Sequence, residues 1–301
     1  MQTQVSDRVV GRLFSARARK TAPEAGALPF KLDPHPFYWH QMSVNLNLKT
    51  ALAAAVTAAR AAGKVMHANW HKPKHVNVDD PHDIKLELDV RCQKLIEKSL
   101  RRAFPAVPVL GEEGISGDVT AAYRWVVDPI DGTVNYAFGI PHAAVSIALQ
   151  FEQESVVGVI YDPFTDELWT VVKDQPTRLN GRKIRVSTHT RVEDAIIAIG
   201  FSKTKARLDK GLPHMIRVAR RAKKIRIMGS AALELAYVAC GRLDAYVEPR
   251  LNLWDLAAGG LMVQNAGGDF HAVPVKGKYR FAVCADNGKL RNQLRVKEWL
   301  K

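Results

Sequence analysis

Three short acidic clusters carry the chemistry legible in this 301-residue sequence. Asp128-Pro129-Ile130-Asp131-Gly132-Thr133 directly follows the apolar Trp125-Val126-Val127, Glu112-Glu113 stand between Gly111 and Gly114, and Asp255 follows Trp254. A strand ending at Asp128 delivers that carboxylate to a sheet edge, Pro129 stops the ladder, and Gly132 permits a tight turn that swings Asp131 and Thr133 back. Two carboxylates about 4 Å apart repel by about 4 kcal/mol at an effective dielectric near 20, so such a gathering needs a cation. Oxygen donors without His or Cys select Mg2+, Mn2+ or Ca2+ over zinc.

Competing chemistries are excluded by spacing. A haloacid-dehalogenase type of phosphatase has Asp-x-Asp-Gly-Thr after a strand, with both acids on one face; the Asp-x-x-Asp spacing here breaks that pairing. Gly114-Ile115-Ser116-Gly117 is not a nucleophile elbow, and no Gly-x-x-x-x-Gly-Lys phosphate loop occurs. His71 and His75 have metal-ligand spacing, but Pro73 between them predicts a solvated loop. Cys92, Cys240 and Cys284 lack CxxC spacing, which suits a reducing compartment, and Cys240 and Cys284, in apolar runs, read as buried and inert.

The elements that must position these acids follow from periodicity. Helices are expected over 48–69 and from about 88 to the Pro105 stop, both before any sheet. Strands follow at 123–127, 144–151, 156–161 and 168–172, with turns at Asp162-Pro163 and Asn180-Gly181, a largely antiparallel middle. Beyond Arg191 the pattern alternates: strand 195–199, helix 212–222, strand 225–228, helix 231–240, strand 244–247, helix 253–265, strand 281–285. Gly267-Gly268 closes the last helix, and Trp254 reads as a core wall. This predicts mixed α+β and α/β layers in two lobes, 42–190 bearing the metal motifs and 191–301 completing the site, after an extension over 1–41.

Glu112-Glu113, the run from Trp125 to Asn135, Pro141-His142 leading into Val145-Ser146-Ile147, and Trp254-Asp255-Leu256-Ala257-Ala258-Gly259 together resemble the inositol monophosphatase family, in the family's order. The resemblance runs from about Leu48 to the C-terminus and implies a five-layered αβαβα sandwich, a homodimer, and lithium-inhibited hydrolysis of a phosphate monoester with two or three Mg2+ per site, Mn2+ substituting. Carried over by position, Glu112, Asp128 and the Ile130 carbonyl match ligands of a first Mg2+. Asp128, Asp131 and Asp255 match those of a second. Thr133 with Asp89 matches the pair that activates water, with Glu112 also catalytic. The family usually has small or hydroxyl residues where Lys85 and Glu87 stand. Gly132 and Thr133 would offer N–H groups to the phosphate. Asp131, Glu248, Ser230 and Ala231 would meet the substrate's hydroxyl end. Inositol 1-phosphate is the first candidate substrate, with histidinol phosphate, fructose 1,6-bisphosphate and adenosine 3′,5′-bisphosphate as alternatives.

Around these acids lies a basic chain, with 44 Lys+Arg against 30 Asp+Glu and a formal charge of +14. Much of the excess lies in residues 203–226, where ten Lys/Arg face Asp209 alone. A helix stripe of Leu212, Met215, Ile216 and Ala219 is expected inside, with Arg217, Arg220, Arg221 and Lys224 outside. That face is solvated, steers anionic substrates, or binds RNA or another polyanion; the last is the alternative function of a different class. Residues 1–41 combine Arg8, Arg12, Arg17 and Arg19 with four prolines, which fits an organelle transit segment or a start at Met42. No apolar run is long enough to span a membrane, which predicts a soluble, cytoplasmic protein.

Overall fold

The structure, a computed structural model, describes residues 46–80, 83–201 and 205–294. The expected extension over 1–41 lies outside them, as does Lys203.

Helix α1 (Leu48–Asn69) buries Ala51, Ala55, Ala58, Ala59, Ala62 and Met66, one face at helical spacing, and Asn47 caps its first N–H groups. The strands β1 (Val76–Asp80) and β2 (Asp83–Leu86) then pair antiparallel before α2 (Glu87–Ala103). The expectation of two helices before any sheet is therefore corrected. This short hairpin lacks the long apolar alternation by which strands are read.

Next come β3 (Val109–Gly111), β4 (Gly114–Ser116), β5 (Tyr123–Asp131), α3 (Thr133–Ala137), β6 (Ala144–Phe151), β7 (Glu154–Asp162), β8 (Glu167–Val172), β9 (Arg178–Leu179) and β10 (Arg182–Lys183). The strands form one sheet in the order β10-β9-β8-β7-β6-β5-β3-β4, antiparallel except where β3 joins β5. Strand β5 continues past the point where Pro129 was expected to end it. Asp128 pairs with Ser146 and Asp131 with Ala144, so Pro129 and Ile130 together oppose Val145 in a bulge.

The remaining elements are β11 (Ile196–Ile199), α4 (Lys205–Ala219), β12 (Lys224–Arg226), α5 (Ala231–Ala239), β13 (Ala245–Asn252), α6 (Leu253–Asn265), β14 (Asp269–Pro274), β15 (Arg280–Asp286) and α7 (Arg291–Leu294). Their sheet has the order β12-β11-β13-β15-β14. Strand β14 was not anticipated; its residues are half-buried or exposed, as an edge strand's are. Strand β13 runs through Pro249 on a second bulge, between Glu248 and Leu251.

Alternation on the pleat produces the layers. Trp125, Val127, Ile147 and Val159 face α1 and α2, whereas Val126, Ala148 and Ile160 face α5 and α6. The same two helices cover Tyr246, Val283 and Ala285 of the second sheet, whose other face, Ile197, Val247 and Cys284, packs against α4 and α7. This is the five-layered αβαβα sandwich. Each fully buried Ile, Leu or Val contributes about 1.5–3 kcal/mol by leaving water.

The stripe on α4 differs from the expected one. Val218 is buried with Met215 and Ala222 beside it, while Ile216 is 45% exposed and Ala219 is exposed. The inward stripe is the one that meets Ile197, Val247 and Cys284 of the sheet beneath. Arg217 is half-buried and donates toward His214, Arg220 and Arg221 are exposed, and Lys224 sits on β12. The side chains of Lys205, Arg207 and Lys210 lie outside the described residues. Cys284 is buried as expected; Cys92 is buried too, which pushes its thiol up to about 12, and Cys240 is half-buried. Residues 71 and 75 lie in an exposed non-helical loop. Among the described residues no helix is long and apolar enough to cross a membrane.

Candidate functional site

The bulge in β5 builds the centre of the site. In a regular strand residues three apart point to opposite faces; one extra residue restores the same side, so Asp128 and Asp131 converge. Asp255 joins them from the first turn of α6, and ligand atoms of all three carboxylates lie within 4.8 Å of one another. Asp128 holds the Ile130 N–H at 3.0 Å, Asp131 accepts from Ala232 N at 2.9 Å and from the Ser230 hydroxyl, and Asp255 accepts from Asn252 N at 2.7 Å. These bonds fix the orientation of the carboxylates without neutralising them.

The electrostatics are those of a site built for cations. Burial, then Glu112 and Asp131, raise the Asp128 carboxyl well above its usual range. Burial, then Asp131 and Glu112, do the same to Asp255. Burial lifts Asp131 to about 6 against the opposing bonds from Ser230 and Ala232. Buried acids are ordinarily offset by a partner of opposite charge. The donors are hard oxygens at converging positions, and they fit a divalent metal ion.

Glu112 stands at the turn between β3 and β4, its N–H bonded to the Val127 carbonyl at 3.1 Å. That turn is gripped from α2 by Gln93, which accepts from Glu113 N at 2.8 Å and donates to the Gly114 carbonyl at 3.1 Å. Gly132 has φ +91°, and a Cβ there would fall 2.9 Å from the His142 carbonyl. Thr133 opens α3 and donates its hydroxyl to the Ile130 carbonyl at 2.8 Å; that oxygen retains a second lone pair. Asp89 is buried at the start of α2, accepts from Leu86 N at 2.7 Å, and adds to the field that raises Asp128.

A cleft of about 410 Å³ opens above the carboxylates, with Glu112, Asp128, Asp131, Thr133 and Asp255 among its walls. Glu248 and Ala231 line it too. Tyr246 donates its hydroxyl to Glu248, whose side chain lies over Gly200, where a Cβ would fall 1.8 Å from Oε2. Ser230, in the segment expected at the substrate's hydroxyl end, is 1% exposed and donates its hydroxyl to Asp131. Trp254 packs on the core, as expected.

Sequence reasoning missed Gln93, Asn135, Glu234 and Arg250. Asn135 donates to His142 O at 2.9 Å and Met228 O at 2.8 Å, stitching the metal loop to the segment that precedes α5. Glu234 is 2% exposed, accepts from Met228 N at 3.2 Å, and is raised well above its usual range by burial and by Glu248. The one available signal was spacing: Gln93 is one turn beyond Asp89 on the same helix face.

This architecture, with an acid set that could hold a metal ion, is that of a class of phosphatases. The sequence pattern of the inositol monophosphatase family matches residues 47–300. Inositol monophosphatase 2 of Solanum lycopersicum is 39% identical over 222 residues, covering 71% of this chain and 84% of the relative. Nus factor SuhB of Xylella fastidiosa is 42% identical over 224 residues, covering 73% and 81%. The crystal structure of the extragenic suppressor protein suhB from Bartonella henselae superposes with a TM-score of 0.77 at 35% identity, covering 83% of this chain and 98% of that one. The chain belongs to the inositol monophosphatase family, whose members are phosphoric monoester hydrolases.

Proposed function

We propose that the protein hydrolyses a small polyol phosphate with Mg2+, inositol 1-phosphate first among candidates. The observation that carries this reading is the convergence of Asp128, Asp131 and Asp255 within 4.8 Å on the floor of a cleft that Glu112 and Glu248 also line. Glu112, Asp128 and the Ile130 carbonyl would hold one ion, and Asp128, Asp131 and Asp255 a second. When bound, such ions supply Lewis-acid stabilisation of phosphoryl and leaving oxygens and a water of lowered pKa. The chain's own residues do the rest. The backbone N–H groups of Gly132 and Thr133 receive the phosphate. The Thr133 hydroxyl and the Asp89 and Glu112 carboxylates orient the attacking water and accept its proton. Glu248 accepts hydrogen bonds from hydroxyls of the leaving group. Phosphate release from a panel of esters, with Mg2+ against EDTA and with lithium added, tests the reading. Magnesium-dependent, lithium-inhibited release is expected; no release from any ester refutes it.

A second reading rests on charge. Arg220, Lys223, Lys224 and Arg226 are exposed on consecutive elements, and a 42% identical relative is named a Nus factor. This surface suits RNA. Arg221 is tied to Glu193 at 3.2 Å and is the poorer contact. RNA retention that falls with salt and disappears in Arg220→Glu/Lys223→Glu is expected; retention unchanged in that variant removes the reading.

A further inference from the structure

Arg250 is the one cation among the described residues lining the cleft, which six carboxylates also line: Glu112, Asp128, Asp131, Glu234, Glu248 and Asp255. Arg250 is half-buried, and among the described residues it makes no ion pair and no side-chain hydrogen bond. It stands on the bulge in β13. Glu248 pairs with Val283 and Leu251 with Phe281, so Pro249 and Arg250 together oppose Ala282. That distortion is the counterpart of the one in β5, and Glu248, Arg250 and Leu251 all belong to the cleft wall.

The wall divides the labour of recognition. The carboxylates at the floor suit cations, and Glu248, with Tyr246 on its Oε2, suits hydroxyl donors. A guanidinium does neither. Its planar fork matches phosphate or carboxylate in bidentate fashion and holds its charge at any working pH. The basic residues nearby in sequence do not substitute for it: Lys223 and Lys224 do not line the cleft, and Arg226 donates to the Ile225 carbonyl at 3.0 Å.

We propose that Arg250 selects substrates whose leaving group carries a second anionic group beside its hydroxyls, as a sugar bisphosphate or an acidic polyol phosphate does. The inference rests on the phosphatase reading above and narrows its substrate class. Matched pairs test it: fructose 1,6-bisphosphate against fructose 1-phosphate for a second phosphate, and 2-phosphoglycerate against glycerol 2-phosphate for a carboxylate. The wild-type enzyme is expected to prefer the doubly anionic member of at least one pair in kcat/KM. Arg250→Gln is expected to lower that preference about 10- to 100-fold, chiefly through KM, and Arg250→Lys to keep part of it. Melting temperatures of both variants separate this from a folding defect. No preference in either pair, or a preference that survives in Arg250→Gln, overturns the inference while leaving the phosphatase reading in place. No phosphate release from any ester overturns both.

Discussion

Replacing Asp128 by Asn should have opposite effects on stability with and without metal. The substitution keeps the oxygen that accepts from Ile130 N and replaces the other with an amide facing Glu112 and Asp131. Two full charges 4.8 Å apart at an effective dielectric near 20 repel by about 3 kcal/mol, and partial protonation reduces this, leaving roughly 1–3 kcal/mol to be relieved. For a chain of this size, with an unfolding entropy of about 0.6 kcal/mol per degree, that corresponds to a melting temperature about 2–5 °C higher in EDTA. The wild type should gain about 3 kcal/mol from metal at a hundred times its dissociation constant, whereas the variant should gain little. The expected order is wild type with Mg2+ at or above the variant in either condition, and the variant above metal-free wild type. Scanning calorimetry with Mg2+ and with EDTA reads all four states, and phosphate release should be abolished in the variant. A variant that melts below wild type in EDTA, or keeps the full Mg2+ shift, refutes the electrostatic account of the cluster.

Two further outcomes follow from the same geometry. Asn135→Ala removes two hydrogen bonds of about 1 kcal/mol each and should lower the melting temperature by about 3 °C with a larger proportional loss in kcat; Asn135→Asp, whose carboxylate can donate to neither carbonyl and adds an anion, should be worse than Ala. Asp131 titrates near 3.8 when unfolded and at about 6 when folded without metal, so the folded state holds its proton longer. Its contribution to stability is full below pH 3.8 and is lost as pH rises through 6, about 3 kcal/mol in all. Denaturant titration in EDTA should therefore show wild type losing ground to Asp131→Asn by roughly that amount between pH 4 and pH 7; a difference independent of pH contradicts the assignment.

Much of the fold was legible because its elements are long and strongly patterned. The bounds of α1, β6 and α6 coincide with those read from periodicity, since each is a continuous buried face with a clear stop. The short hairpin β1–β2 and the edge strand β14 were not legible, because their pairing depends on partners distant in sequence or on too few residues to show a period. The inward face of α4 was misplaced for a related reason: which stripe packs is decided by the sheet beneath it.

The sequence by itself determined the donor set. Carboxylates flanked by glycine and proline at strand ends, without His or Cys, specify hard-cation chemistry wherever they meet, and their order along the chain specifies the family. Only the tertiary structure decided how they meet. Asp128 and Asp131 are three apart, a spacing that separates side chains on a regular strand, and a bulge invisible in composition brings them together. A second bulge interrupts β13 on the stretch that carries Glu248 and Arg250 to the cleft wall, and the hydroxyl of Ser230 is donated to Asp131. Register and competition for partners are long-range properties, so neighbouring residues alone could not disclose them.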